Sequence, residues 1–304
     1  MMPVLAMLLA SLLFASSNVG TKIALADLAI VEVVSGRFLF AAAILWAMVL
    51  LTRQPMAWKE ARRPLLMGLL DPGLVSLFIV GGLHLTSAVN VAVFWALMPL
   101  FTSIAARLVL GEKINNPVIL GALVAVTGAI ILAIANKDAG EGNLFGDFLA
   151  ICGVLCAVGT SLLGRRVAQT QGRPIVTTSW QMTTALGVNG AVLIVLQQPD
   201  ETVTRLQDGP ILLLAYLGMV AMAGPFFLMN YALRHLPVGR MALFASLVGP
   251  LSLPMAAIIL GEIIQLWEVA AIAIVMVGAA IPSLVSRDQL ARFPIQKNNT
   301  GLRR

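Results

Sequence analysis

Residues 110–113 read Leu-Gly-Glu-Lys, and residues 260–263, which lie 150 positions later, read Leu-Gly-Glu-Ile. The same offset relates Gly128 to Gly278, and an alanine follows each of these glycines. Self-similarity at a fixed offset indicates that a chain is built from repeated units. The sequence therefore predicts two similar halves, which we place at residues 1–140 and 141–286, followed by a basic tail at residues 287–304.

The composition excludes a soluble globular protein. Of the 304 residues, 59% are hydrophobic and 11% are charged, whereas soluble domains have about 45–50% apolar and about 25% charged residues. The chain has apolar runs of the length that a membrane-spanning helix needs, about 20 residues. They are too uniformly apolar for the alternating strands of a membrane barrel. We predict an all-α polytopic membrane protein with ten transmembrane helices, at residues 3–22, 31–51, 65–85, 89–110, 117–135, 147–163, 175–196, 210–232, 241–260 and 266–286.

The orientation follows from the basic residues between these runs. Because each half has five helices, an odd number, the second half crosses the bilayer in the opposite sense to the first, and the two halves form an inverted repeat. Basic residues concentrate in loops that face the cytoplasm, so we expect both termini to be cytoplasmic and no nucleic-acid partner. The basic residues on that side, 16 of the 20, are Arg53, Lys59, Arg62, Arg63, Arg107, Lys113, Arg165, Arg166, Arg173, Arg234, Arg240, Arg287, Arg292, Lys297, Arg303 and Arg304.

An inverted repeat of membrane helices favours transport over other functions. Two packings of one half on the other expose a site near the bilayer midplane first to one side and then to the other. The alternative is a duplication that is retained only for stability. We expect a secondary transporter with a small-molecule substrate, embedded in a lipid bilayer.

The repeated motif also carries a family resemblance. Pro99, the Leu-Gly-Glu-Lys stretch at 110–113 and Gly128 resemble the hallmark of EamA-type members of the drug/metabolite transporter superfamily, and Pro250 and Gly278 repeat it. The resemblance covers roughly residues 5–284. It implies a ten-helix carrier of the bacterial inner membrane that exports amino acids or related metabolites.

Prolines within two predicted helices indicate where the substrate binds. Asp71-Pro72-Gly73 and Gly224-Pro225 lie within three positions of each other in the repeat register. Proline lacks a backbone N–H and clashes with the carbonyl four residues earlier, so each helix should kink and leave carbonyls free for a substrate. The alternative is that the prolines merely bend helices for packing. Asp71 is the candidate for proton coupling, because a carboxylate inside a span is costly and is retained for function; the alternative is pairing with a nearby Arg or Lys.

Further polar and aromatic residues within the spans are substrate-binding candidates. Arg37 is a candidate carboxylate-binding group, with snorkelling to the membrane surface as the alternative. His84 is a candidate because histidine can change charge near physiological pH, with an interfacial anchor as the alternative. The neutral residues supply hydrogen bonds or hold helices together. Trp95 and Trp180 lie deep in their predicted helices, unlike Trp58, and are expected to be cavity walls. The complete set of predicted binding residues is Asn18, Arg37, Asp71, Pro72, His84, Asn90, Trp95, Ser161, Trp180, Gln181, Pro225 and Asn230.

Other functions are less well supported by the residues. Multidrug export and flipping of a lipid-linked sugar are alternatives within the same superfamily, although a first helix with Asn18 and Lys22 in place of a glutamate disfavours cation export. Common hydrolase, zinc and nucleotide-binding motifs are missing from the sequence, which argues against an enzyme, and the sequence has no filter motif of a channel. We predict no cofactor and no metal.

Overall fold

The computed structural model describes residues 2–55, 58–86, 91, 94–113, 116–135, 143–196, 211–261 and 266–292. All regular secondary structure in these ranges is helical. Lipid offers no hydrogen bonds to the backbone, so apolar runs become helices, which pair every internal N–H and C=O within the segment. The helices are α1 (Met2–Ala24), α2 (Ile30–Leu51), α3 (Trp58–Gly68), α4 (Val75–Leu85), α5 (Met98–Leu110), α6 (Asn116–Ala135), α7 (Leu144–Thr170), α8 (Pro174–Leu196), α9 (Ile211–Met219), α10 (Ala223–Ala232), α11 (Val238–Ala245), α12 (Val248–Leu260) and α13 (Leu266–Arg292).

Five helical segments of the described chain are long and apolar enough to cross a membrane, namely Met2–Ala24, Ile30–Leu51, Leu144–Thr170, Ile211–Ala232 and Val238–Leu260. Shorter apolar helices cover Met98–Leu110, Asn116–Ile131 and Val269–Ile281. The molecule is therefore an all-helical polytopic membrane protein.

The helix bounds differ from the predicted spans at several ends. A helix begins at Trp58, earlier than the predicted start at residue 65, and α7 continues to Thr170, beyond the predicted end at residue 163. The helix α13 continues to Arg292, beyond the predicted end of the last span at residue 286. In each case the extension is polar, and an apolar window does not detect helix that continues outside the hydrocarbon layer.

The repeated Leu-Gly-Glu motif forms a helix end. Gly111 and Gly261 have φ values of 68° and 71°, and each is the C-cap of a helix of the same length, α5 and α12. This left-handed conformation favours glycine, which lacks the Cβ that clashes there. The repeated glycine thus ends two corresponding helices in the same way.

The helices α6 and α13 pack closely through glycine. An ideal Cβ on Gly128 would lie 2.9 Å from the Ala271 carbonyl oxygen, and one on Gly278 would lie 2.6 Å from the Gly121 carbonyl oxygen. These two contacts are reciprocal, because Ala271 follows Gly121 by the same 150 positions that separate the two glycines. Small residues allow this approach between membrane helices, as the stripe of Gly121, Ala125 and Ala129 predicts.

The other helix contacts also connect the two predicted halves. The helix α2 packs against α8 and α9, and α1 packs against α10 and α12. In the same way α7 packs against α4 and α5, and α3 packs against α8. The broken segments α3–α4 and α9–α10 therefore lie among helices of both halves.

Candidate functional site

The segment between α3 and α4 is the main irregularity of the described backbone. Residues Leu69–Leu74 form a π-helical turn in which Asp71 has an extended conformation, with φ −142° and ψ 118°. Pro72 causes the irregularity, because it has no N–H to donate to the Gly68 carbonyl and its ring pushes that carbonyl aside. Gly73 then passes so close to that carbonyl that an ideal Cβ would lie 2.7 Å from its oxygen. The helix break predicted from Pro72 is confirmed. Asp71 lies within this break, between α3 and α4.

The carbonyls around the break are already in use, contrary to the expectation that they are free. The Asp71 carbonyl oxygen accepts a hydrogen bond from Nε2 of Gln181 at 2.9 Å, and the Pro72 carbonyl oxygen accepts one from Oγ of Ser76 at 2.7 Å. Buried carbonyls are paired because leaving them unpaired costs free energy. These two oxygens are not available to a substrate in this conformation.

A chain of hydrogen bonds leads from the break to α10. Gln181 donates through Nε2 to Asp71, so its Oε1 faces Asn230 and accepts from Nδ2 of that residue at 3.0 Å. The same Nδ2 donates to Oγ1 of Thr178 at 2.9 Å. Gln181 and Asn230 are 1% and 5% exposed. The structure thus joins Asp71, Gln181 and Asn230, three of the predicted residues, into one buried network.

A second break lies at the corresponding place in the second half. The helix α9 ends at Met219 and α10 begins at Ala223, two residues before the buried Pro225. The backbone N–H of Ala221 donates to the Tyr216 carbonyl at 3.1 Å, a wider turn than an α-helix makes. Residues 220–222 lie 150 positions after residues 70–72. The kink predicted from Pro225 is therefore confirmed.

Two charged side chains of the predicted spans are not paired with opposite charges in the described part of the chain. The described residues include no hydrogen-bond or ion-pair partner for the Asp71 carboxylate, so the expected alternative of a neighbouring Arg or Lys is not observed. The Nε of Arg37 on α2 is buried and also lacks a partner within that part of the chain. Its guanidinium carbon lies 5.3 Å from the centroid of the Phe38 ring. Burying a charge is costly unless it is compensated, so both groups are suited to interact with a charged ligand.

The remaining candidates make no hydrogen bond to this network in the described part of the chain. Asn18 on α1 donates to Oγ of Ser252 on α12 at 3.0 Å, which ties two helices together. Ser161 donates to the carbonyl of Ala157 in its own helix at 3.0 Å. Trp95 packs on the apolar cluster that contains Val75, Val154 and Val158. His84 lies in the last turn of α4, and Asn90 lies outside the described residues.

Trp180 belongs to an aromatic cluster with Trp46 and Trp58. Its ring centroid lies 4.9 Å from that of Trp46 and 5.3 Å from that of Trp58, and Trp58 is 70% exposed. The first turn of α3 places Trp58 beside Trp180 on α8, although Trp58 is much more exposed than Trp180. A cavity-lining role for Trp180 stays a prediction.

Charged residues join several helix ends at one end of the molecule, which we call the basic face and define by Glu60, Glu112, Arg165, Arg173 and Arg234. The Glu112 carboxylate accepts from Nε of Arg165 at 3.1 Å and from the backbone N–H of Val238, the first residue of α11, at 3.2 Å. Arg165 also donates to the carbonyl of Leu233. Arg173 binds Glu60 at 3.2 Å.

From the sequence, Glu112 is recognised only as part of the repeated motif, and Arg165 only as a basic residue that indicates the orientation. The sequence signal for the contact between them is that the two residues carry opposite charges and lie directly at the ends of predicted helices.

Comparison with known proteins identifies the class and then the family. The broken apolar helices and the polar network around Asp71 are features of a multi-pass membrane protein with an internal site. The model of the EamA-like transporter family matches residues 1–134 and again residues 144–284, and the chain belongs to this family. It is thus a transporter of the drug/metabolite superfamily and not an enzyme, as the motif predicts.

One relative agrees with this assignment, and a solved structure has a similar fold. The uncharacterized transporter YyaM of Bacillus subtilis (strain 168) is 27% identical over 262 residues, which cover 83% of each chain. A solved crystal structure of a protein matches with a TM-score of 0.77 over 94% of this chain and 98% of the other, at 16% identity. The second match concerns the fold alone.

Proposed function

We propose that the protein exports a small metabolite, such as an amino acid, across the bacterial inner membrane by alternating access. In this proposal ten helices form two inverted five-helix repeats, residues 1–140 and 141–286, and the basic face and both termini are cytoplasmic. Its main support is the pair of helix breaks at corresponding positions of the repeat, at residues 69–74 and 220–222. Discontinuous helices at corresponding places are typical of substrate sites in transporters.

The helix contacts support the repeat. In the proposed repeat, α1 corresponds to α7, α2 to α8, α3–α4 to α9–α10, α5 to α12 and α6 to α13. Contacts in one half then have observed counterparts in the other. The contact of α1 with α10 corresponds to that of α7 with α4, the contact of α1 with α12 to that of α7 with α5, and the contact of α3 with α8 to that of α9 with α2. This correspondence supports the proposal, because alternating access requires two packings of one half on the other.

Two charged side chains of the predicted spans suggest a zwitterionic substrate. The Asp71 carboxylate suits an ammonium group or a proton, and the Arg37 guanidinium suits a carboxylate. Asp71 is the group that we propose for proton coupling.

A counterflow assay tests the proposal. The purified protein is reconstituted into liposomes loaded with one unlabelled amino acid, and the entry of the same labelled amino acid is followed. We expect saturable accumulation for at least one member of an amino-acid panel. Failure of the whole panel, with correctly folded protein, would contradict amino-acid export.

Proton coupling predicts a specific defect in Asp71→Asn. Exchange of substrate for substrate moves no net proton, so we expect counterflow to remain while the stimulation of net transport by a pH gradient is lost. The control is Asp27→Asn, since Asp27 is an exposed residue between α1 and α2. Full gradient-driven transport by Asp71→Asn would remove Asp71 from this role.

A further inference from the structure

The exposed side of α3 changes from apolar to basic along the helix. Leu66 and Leu69, which belong to the predicted third span, are 47% and 36% exposed. Lys59, Arg62 and Arg63, which precede them by one to two turns, are exposed as well. Residues three, four or seven positions apart lie on the same side of a helix, so the three cations continue the side of the two leucines. We call these three cations the α3 patch.

A cluster of tryptophans marks the level of the α3 patch in the membrane. Trp58 is the first residue of α3 and immediately precedes Lys59. Its ring packs on that of Trp180, which also contacts Trp46, and Nε1 of Trp46 donates to Oγ1 of Thr183 at 2.8 Å. Tryptophan is enriched where the membrane meets water, with its ring at the level of the lipid headgroups. The α3 patch therefore lies beside headgroups, and the exposed leucines lie beside acyl chains.

The acidic residue in the first turn of α3 is neutralised within the fold. The Glu60 carboxylate binds Nη1 of Arg173 at 3.2 Å, and the Glu60 carbonyl accepts from Nε2 of Gln171 at 2.9 Å. Arg173 also donates to the Pro55 carbonyl at 2.9 Å. These contacts fix the start of α3 to the connection between α7 and α8. They also leave the charge of the α3 patch uncompensated by Glu60.

Other arginines at this end of the molecule are held by acceptors of the protein itself. Arg165 binds Glu112, and Nη2 of Arg166 donates to the Val109 carbonyl at 2.9 Å. No acceptor in the described ranges pairs with the α3 patch. Lys59 lies three and four residues before the two arginines of the patch, so their Cβ atoms are about 5–6 Å from its own, a spacing at which like charges destabilise a helix. A bound anion relieves this repulsion, and a phosphate accepts hydrogen bonds from more than one cation.

We propose that the α3 patch binds an anionic phospholipid, with its phosphate on Lys59, Arg62 and Arg63 and its acyl chains along Leu66 and Leu69. Together with residue 53, four basic residues lie within positions 53–63, and clusters of this size next to a membrane helix attract anionic lipids. A phospholipid supplies both a phosphate for the cations and acyl chains for the leucines, whereas inorganic phosphate supplies only the first. Lipid binding here is independent of the substrate that the protein carries.

Native mass spectrometry of the full-length protein tests this binding directly. The purified protein in detergent is titrated with dioleoylphosphatidylglycerol or with zwitterionic dioleoylphosphatidylcholine, and the bound lipids are counted after release from the micelle. We expect tighter retention of phosphatidylglycerol. Each basic residue near a membrane surface changes the affinity about fivefold, so Lys59→Gln/Arg62→Gln/Arg63→Gln should weaken the tightest phosphatidylglycerol site about 100-fold.

A second triple variant separates the α3 patch from a general charge effect. Arg107→Gln/Lys113→Gln/Arg234→Gln removes the same charge from exposed positions outside α3, and it should leave the tightest phosphatidylglycerol site unchanged. Arg62→Lys/Arg63→Lys keeps the charge and should retain most of the binding. It provides the test if the glutamine variant of the α3 patch does not fold.

Three outcomes overturn the lipid site. The first is equal retention of the two phospholipids by the unmodified protein. The second is an equal loss of phosphatidylglycerol in the two triple variants, which would show that only net charge matters. The third is displacement of phosphatidylglycerol by inorganic phosphate at the same concentration, which would make the α3 patch a site for free anions.

Discussion

Glu112 connects three chain segments at the basic face. Its carboxylate binds Arg165 at the end of α7 and caps the first N–H of α11, while it belongs to the segment that follows α5. A carboxylate at a helix N-terminus is stabilised both by the N–H groups and by the helix dipole. This ion pair therefore connects α7, the segment after α5 and the start of α11.

Removing either charge of this pair should destabilise the protein. The two side chains are 15% and 20% exposed, so we expect Glu112→Gln to cost about 1–3 kcal/mol, less than a fully buried pair would. The apparent melting temperature in detergent measures this loss. The matched control is Glu60→Gln, because the Glu60–Arg173 pair is 42% and 33% exposed and pairs of this kind contribute about 0–1 kcal/mol.

A double-mutant cycle distinguishes the pair from its separate members. If Glu112 and Arg165 stabilise the protein through each other, the loss in the double variant Glu112→Gln/Arg165→Gln is smaller than the sum of the two single losses. Strictly additive losses would show that the two residues act independently.

Some residue-level features followed from the sequence and others did not. Pro72 and Pro225 predict the helix breaks because the effect of proline on its own helix is local. The pairing of the Asp71 carbonyl with Gln181 spans 110 positions, so it depends on how α8 packs against the break. The contact of Glu112 with Arg165 also depends on how the helices pack. The repeated motif therefore identifies Glu112 but does not identify Arg165 as its partner.

At the scale of the helices, prolines mark breaks that the apolar runs conceal. The turn at Leu97 precedes α5, which has a proline in its first turn, and the turn at Leu247 precedes α12. The backbone angles of the two residues agree closely, with φ −77° and ψ −12° at Leu97 and φ −73° and ψ −15° at Leu247. Hydropathy alone predicts one continuous span in each case, because both sides of the turn are apolar.

The contact of α6 with α13 predicts that Gly278→Ala is destabilising. The new Cβ would lie 2.6 Å from one backbone atom of α6 and 2.7 Å from another, so the two helices must separate, at a cost of about 1–3 kcal/mol. Gly128→Ala should behave in the same way, because its contacts are reciprocal. Thermal unfolding in detergent measures both losses.

The control for this prediction is Gly187→Ala on α8, where an added Cβ meets nothing within 4 Å. Alanine has the higher helix propensity, by about 1 kcal/mol, so this variant should be equally or more stable. Equal effects of the Gly278 and Gly187 substitutions would contradict the close packing of α6 on α13.

At the scale of the whole molecule, the proposed inverted repeat predicts that two matching loops lie on opposite sides of the membrane. Lys113 and Ile263 occupy the same position of the repeated motif, but in the proposed topology five crossings invert the second half. A single cysteine at position 113, in a background without Cys152 and Cys156, should react with an impermeant maleimide only after the cells are permeabilised. A cysteine at position 263 should react in intact cells, and Arg63→Cys serves as the control for the cytoplasmic side. Reaction of both positions from the same side would mean that the halves are parallel, and then the corresponding breaks at 69–74 and 220–222 could not exchange roles between two conformations.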